Sequence, residues 1–163
     1  MMTFKEFISK FDFENSVVLL EGKRIVLEKD EEKLIALGQL LCKKTKNILF
    51  RSGNAKGADY NFSQGVSAID NKRLQVISPY EKHHQNKNLG YEKISLDTIN
   101  LAEEPEVIYQ SKQNKKTEKL IEGYVNGEKN PYTIKAAYII RDTIKVLGTT
   151  DILPASFGIF YDD

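Results

Sequence analysis

Asn47-Ile48-Leu49-Phe50-Arg51-Ser52-Gly53-Asn54-Ala55-Lys56-Gly57-Ala58-Asp59 is the stretch on which the fold turns. Asn47–Phe50 reads as a short buried strand, because a continuous apolar run suits a strand covered on both faces. A glycine-rich turn follows at once. Ala58–Ala68 then reads as a helix, with Ala58, Phe62, Val66 and Ile69 along one side.

The same alternation extends outward. Upstream, Ser16–Glu21 holds Val17-Val18-Leu19-Leu20 and is closed by Gly22, a second short apolar run that reads as a strand. Gly22–Lys29 is ambiguous and fits a turn followed by a short extended segment. Asp30–Lys44 is a helix with Asp30 as its cap, Glu31 and Glu32 at the end the dipole favours, and Leu34, Leu37, Gly38 and Leu41 on one face. Thr3–Phe11 reads as a short helix capped by Thr3. Downstream, Leu74–Ile77 is a third strand, ended by Ser78-Pro79. Strand, helix, strand, helix, strand predicts parallel strands joined by right-handed crossovers. The fold class is therefore α/β: a Rossmann-like three-layer domain, its sheet mostly parallel, with helices on both faces.

Beyond the third strand the pattern is looser. Glu81–Tyr91 is a polar loop, Ser95–Ala102 a helix ending before Pro105, and Glu106–Tyr109 a short edge strand. Asn114–Val125 reads as a helix with Asn114 as cap, and Gly127–Pro131 as a turn. Thr133–Leu147 is a strong helix with Ile134, Ala137, Ile140, Ile144 and Leu147 on one face, and Ser156–Tyr161 is a strand. Residues 1–163 are thus one domain, with a mainly helical excursion at about 81–131.

Composition narrows the function classes. Lysine plus arginine (24) nearly cancels aspartate plus glutamate (23), so the basic excess of a phosphate-driven nucleic-acid binder is missing. Cys42 is the single cysteine, so no internal disulfide forms; on its helix it reads as a small core residue. No apolar run approaches a membrane span, and Met1–Asp12 lacks the apolar stretch of a signal peptide, so a cytoplasmic location is expected.

The chemistry concentrates in Arg51–Asp59. In a parallel sheet, ligands bind beyond the carboxyl ends of the strands. A helix starting there aims free amides and a positive dipole end at the ligand. Gly53 and Gly57 permit a sharp turn and close approach, Ser52 and Asn54 offer neutral hydrogen-bonding groups, and Lys56 can neutralise a phosphate. The backbone amides between Arg51 and Asp59, Ala55 included, are expected to converge on an anion. The spacing lacks the Gly-Lys-Ser/Thr of a P-loop and also fails Gly-x-Gly-x-x-Gly, which disfavours ordinary kinases and dinucleotide dehydrogenases. Asp59 reads first as a partner of the dipole or the turn, and second as a carboxylate for a ribose hydroxyl or for catalysis. Arg51 reads equally as a partner for a carboxylate or phosphate or as a surface arginine at a strand end.

Other candidates carry less. His83-His84 reads as part of a solvated loop, with no metal-ligand spacing around it, although that loop follows the third strand and can reach the same cleft. Tyr80, Tyr109, Tyr132 and Tyr138 read as packing residues, with base stacking as the alternative. Lys112, Lys115, Lys116 and Lys119 read as a solvated helix face, with a phosphate-contacting patch as the alternative. Nothing in the spacing of Glu103-Glu104 or Asp162-Asp163 selects acid/base or metal chemistry. No metal and no cofactor is expected.

Ile48–Asp59, with Phe62 and Gly65 following, resembles the SLOG superfamily of Rossmann-like domains, whose members include SMF/DprA-type DNA-processing proteins and LOG nucleotide phosphoribohydrolases. It is similar to uncharacterised bacterial and phage members with a Ser-Gly-Gly-Ala-x-Gly-Ala-Asp loop, Asn54 replacing the second glycine. The resemblance covers roughly Val17–Pro79 and extends weakly to Ile140–Tyr161. It implies a nucleotide or nucleotide-derived ligand on Arg51, Ser52, Gly53, Asn54, Ala55, Lys56, Gly57 and Asp59, and, since many relatives dimerise, a homodimer. It transfers no activity: the Pro-Gly-Gly-x-Gly-Thr-x-x-Glu motif of the phosphoribohydrolases does not occur here. Because the chain stops just after a strand where that loop would follow, an N-terminal portion of a longer protein is one expectation. The leading expectation is a binding domain that senses or sequesters a small nucleotide. The alternatives are a hydrolase cutting an N-glycosidic bond, with Asp59 its one candidate carboxylate, and a DNA-processing accessory protein.

Overall fold

Thr3 opens the first helix, α1 (Phe4–Phe11), with a reciprocal cap: its hydroxyl accepts from the Glu6 amide while the Glu6 carboxylate accepts from the Thr3 amide. The computed structural model describes residues 2–162. After α1 come β1 (Val17–Gly22), α2 (Glu28–Lys44), β2 (Leu49–Ser52), α3 (Ala58–Asp70), β3 (Leu74–Ser78), β4 (Glu92–Ser95), α4 (Pro105–Ser111), α5 (Glu118–Val125), α6 (Ile134–Leu147) and β5 (Phe157–Tyr161).

The five strands form one sheet in the order β4-β3-β2-β1-β5, every neighbouring pair parallel. The sheet is flanked by helices on both faces, a Rossmann-like three-layer domain. On one face Val18, Leu20, Phe50, Leu74 and Val76 meet Phe7 of α1, Leu34 and Leu41 of α2, and Phe62 and Val66 of α3. On the other, Ile77 meets Val107 of α4, Leu120 and Ile121 of α5, and Ile140 and Ile144 of α6. Alternate residues of each strand serve alternate faces, so Phe50 packs against α1–α3 whereas Arg51 and Gln75 point towards α6. Cys42 is buried in the α1–α3 layer, where burial raises its thiol pKa and leaves it unreactive. Among the described residues no helix is long and apolar enough to cross a membrane.

Several local expectations give way to tertiary contacts. The helix expected to begin at Asp30 begins at Glu28, and Asp30 instead accepts from Lys33 (2.7 Å) and from the Tyr161 hydroxyl (3.1 Å), tying α2 to β5. Glu106–Tyr109 is not an edge strand but the body of α4: Pro105 sits in the first turn, and Val107 and Ser111, four apart, face the core. Ser95–Ala102 is not a helix but the end of β4 and two short 3₁₀ turns. There the Ser95 and Asn100 side chains take the amides of Asp97 and Ala102 that a helix would need. Asn114 closes a turn ahead of α5, accepting from the Lys116 amide at 3.0 Å, and the helix starts only at Glu118. The stretch 81–131 holds α4, α5 and short 3₁₀ turns, and β4 within it forms the edge of the sheet.

Candidate functional site

All strands being parallel, their carboxyl ends share one edge of the sheet, and the loops after β1, β2 and β3 rise from it. The winding reverses beside β1, since the chain runs outward to β4 and returns to place β5 on the other side. Such reversals open a crevice at the carboxyl edge.

The loop after β2 is held from behind. The Ser52 hydroxyl accepts from the Asn54 amide at 3.3 Å, and the Asp59 carboxylate accepts from the Ala55 amide at 3.3 Å. The Ala58 amide donates to the Lys23 carbonyl at 3.1 Å. Three of the amides expected to face an anion are thus engaged inside the protein, and a ligand meets side chains more than a nest of free amides. Asn54 is left-handed (φ +56°), a conformation asparagine tolerates. Its amide nitrogen donates to the carbonyls of His83 (3.1 Å) and His84 (3.3 Å), pinning the loop after β3 against the loop after β2. Gly57 has φ +80°, and a β-carbon there would run into the carbonyls of Lys23 and Arg24, so this glycine serves loop-to-loop contact. At Gly53 a β-carbon would displace Arg141 Nη1, which donates to the Gly53 carbonyl.

Arg51 is placed elsewhere. It is fully buried on the α6 face, where Nε donates to Gln75 Oε1 (2.5 Å), Nη1 to the Lys145 carbonyl (2.8 Å) and Nη2 to the Leu153 carbonyl (2.8 Å). Neither reading of Arg51 as a ligand contact or as a surface side chain describes this. Its guanidinium satisfies a carbonyl in the last turn of α6, which a helix leaves unpaired. Burial lowers its pKa to about 10, so it stays charged at neutral pH.

Behind the loop lies a charged cluster that the sequence reading did not single out. Lys145 forms ion pairs with Glu21 at the end of β1 and with Asp142 (2.8 Å), and Arg141 Nε lies 2.9 Å from Asp142. Arg141 and Lys145 are one turn apart on α6, each next in sequence to a core isoleucine. That i, i+4 pair beside an apolar stripe was the available signal. Asp59 joins this cluster, is only 4% exposed and lines neither cleft described below. Burial pushes its pKa up to about 6, with Lys145 pulling the other way.

This raised pKa has a sign that can be tested. A carboxyl that prefers its proton in the folded state adds stability below its unfolded pKa near 4, and that share is lost as pH rises through about 6. Asp59→Asn keeps an acceptor for Ala55 without the charge. Its stability relative to the parent is expected to improve by up to roughly 3 kcal/mol between pH 4 and 7.5. Urea unfolding of both proteins across that range is the measurement, and a difference that stays flat with pH would show that Asp59 carries no such shift.

Two open clefts flank the loop. The first, about 330 Å³, lies along the start of α3, with Tyr60, Asn61 and Gln64 on one wall and Glu31 and Lys87 at the rim. The second, about 380 Å³, is lined by Arg24, Ile25, His83 and Tyr138. Ala55, Lys56 and His84 belong to both. His83 is not solvated as expected but 6% exposed, edge-on to the Tyr80 and Tyr138 rings. Burial, reinforced by His84, Arg141 and Arg24, lowers its pKa to about 4, so it is neutral at pH 7. The Tyr138 hydroxyl sits 3.5 Å from His83 Nδ1 and 3.3 Å from the Tyr80 hydroxyl. Burial and Tyr80 push the Tyr138 pKa up to about 12, keeping its proton.

The remaining candidates stand apart. Tyr109 and Tyr132 are exposed, and Lys115, Lys116 and Lys119 are solvated. Glu103 accepts from Asn100, Glu104 accepts from the Thr150 amide, and Asp162 pairs with Lys23 (3.0 Å), while Asp163 lies outside the described residues. Among the described residues no group of three or more His, Cys, Asp or Glu gathers to hold a metal ion. Comparison with protein-family models, with curated proteins and with solved structures finds no match for this chain.

Proposed function

We propose that this protein binds a small nucleotide or nucleotide-derived ligand at the carboxyl edge of its sheet, as a sensing or sequestering domain. The observation that carries this reading is the pair of adjoining clefts meeting at Ala55, Lys56 and His84, each within the about 300–1,000 Å³ of small-ligand sites. They lie where parallel sheets place ligands, and an exposed lysine stands between them. Hydrolysis of an N-glycosidic bond is less well supported, because Asp59 is spent holding the Ala55 amide behind the loop. A DNA-processing role lacks a basic excess.

The test is a thermal-shift screen against nucleoside mono-, di- and triphosphates and dinucleotides, followed by chromatography of each mixture. A ligand at about a hundredfold excess over its Kd adds about 2.7 kcal/mol. For a chain of this size that raises Tm by roughly 5–10 °C. Lys56→Glu, an exposed change that leaves the packed loop intact, is expected to remove most of that rise. A panel with no stabilising member would overturn the proposal, and product formation would favour the hydrolase.

A further inference from the structure

Resting on that reading, we infer that the two clefts divide the ligand: phosphate in the Arg24–His83 cleft, base in the Tyr60–Asn61 cleft, with Lys56 between them. Among the described residues, five buried side-chain atoms have no hydrogen-bond partner: Ser16 Oγ, Glu21 Oε1, Asn61 Nδ2, His83 Nε2 and Arg141 Nε. Glu21 and Arg141 are ion-paired, to Lys145 and Asp142 respectively. Ser16 precedes β1, at the opposite edge of the sheet from the clefts. The other two both line the clefts, one each: Asn61 the first and His83 the second. An unpaired buried polar atom costs about 1–3 kcal/mol. Native proteins keep few of them, and each calls for a partner such as water, an ion or a ligand.

The chemistry of the two clefts differs. No carboxylate lines the second cleft, and Arg24 and Lys56 both reach it. In the tautomer whose Nδ1 accepts from the Tyr138 hydroxyl, the neutral His83 imidazole carries its hydrogen on Nε2, the atom left without a partner in a residue that lines the cleft. Guanidinium, ammonium and imidazole N–H donors together suit the oxygens of a phosphate or diphosphate. The Tyr138 ring already has the guanidiniums of Arg24 (5.9 Å) and Arg141 (5.6 Å) against it, so it gathers cations and is not free to stack a base.

The first cleft is rich in amides. Asn61 and Gln64 sit one turn apart on α3, and each carboxamide offers both a donor and an acceptor, the pairing the edge of a nucleobase requires. The Tyr60 ring beside them is half-buried, with the exposed Lys87 ammonium over it at 5.9 Å, and a planar ring of this kind can stack a base. The Asn61 Nδ2 donor points the base to present a ring nitrogen or carbonyl acceptor.

Fragment binding to the intact chain separates the two halves. Isothermal titration with the best-bound nucleoside diphosphate, its nucleoside and inorganic pyrophosphate is compared across the parent, Arg24→Ala and Asn61→Ala. All three are first checked for unchanged circular dichroism. Arg24→Ala is expected to weaken the diphosphate and pyrophosphate by about tenfold and leave the nucleoside unchanged. Asn61→Ala is expected to weaken the diphosphate and nucleoside by about fivefold or more and leave pyrophosphate unchanged. If the diphosphate binds but both variants weaken both fragments alike, or the pattern is exchanged, the division into subsites is wrong while nucleotide binding stands. If pyrophosphate binds as tightly as every nucleotide, or nothing binds at millimolar concentration, nucleotide binding itself is overturned and the subsites with it.

Discussion

Arg51→Met is expected to destabilise the protein by about 4 kcal/mol, a large share of the about 5–15 kcal/mol of a typical domain. Methionine keeps the apolar stem but removes every donor. Gln75 Oε1 and the Lys145 carbonyl are then left buried and unpaired, each costing about 1–3 kcal/mol, with a smaller loss at the partly exposed Leu153 carbonyl. Gln75 also donates to Glu92 at 2.7 Å, so the disturbance reaches the edge strand β4. Arg51→Lys should recover less than half of the loss, because one ammonium cannot replace a planar fork reaching three acceptors. The midpoint of urea unfolding at unchanged m reads the effect. A loss below about 1 kcal/mol would mean that water or repacking replaces the guanidinium. Ligand affinity of the folded Arg51→Met protein is expected to match the parent, since the side chain is not among those lining either cleft.

Gly65→Val is expected to be comparably severe, at about 3 kcal/mol or more. α2 and α3 cross at a pair of glycines. A β-carbon on Gly65 would stand 3.0 Å from the Gly38 Cα and closer still to the Ile35 carbonyl, and one on Gly38 would stand 2.7 Å from the Phe62 carbonyl. These are contacts with backbone, which no rotamer change relieves. To admit valine, α2 must lift from the sheet and take Leu34 and Leu41 out of the core. Melting followed by circular dichroism should show Tm lower by roughly 6–12 °C. Gly65→Ala should fall between the two, and an unchanged Tm in Gly65→Val would show that the helices are not in backbone contact.

Both glycines were visible in the sequence, Gly38 on the apolar face of its helix and Gly65 within the stretch that follows the glycine-rich turn. Neither carried a reason, because what a missing side chain makes room for lies on another element. The same holds for the candidate site. The glycine-rich turn lies at the carboxyl edge of the sheet, and the histidine loop meets it along the same two clefts. His83 was nevertheless read as solvated, because the rings that bury it belong to Tyr80 and, fifty-five positions away, Tyr138. Arg24, Asn61, Arg141 and Lys145 drew no attention, since a polar residue in a helix or loop looks solvated until the chain folds over it.

What the sequence determined by itself was local and periodic. Short apolar runs closed by glycine or proline, alternating with 3.6-period helices, demand a parallel α/β sheet, because no other arrangement buries both faces of such strands and one stripe of each helix. The threonine cap of α1 was equally plain, since all its partners lie within three residues. Only the tertiary structure decided the fate of the weakly patterned segments. Glu106–Tyr109 became helix because Val107 could reach the α5–α6 layer, and Glu92–Ser95 became strand because β3 offered a free edge. It alone also turned Arg51 inward, where its three partners stand 24, 94 and 102 positions away. Backbone preference acts between near neighbours, whereas burial and ion pairing act between whichever residues the fold brings together.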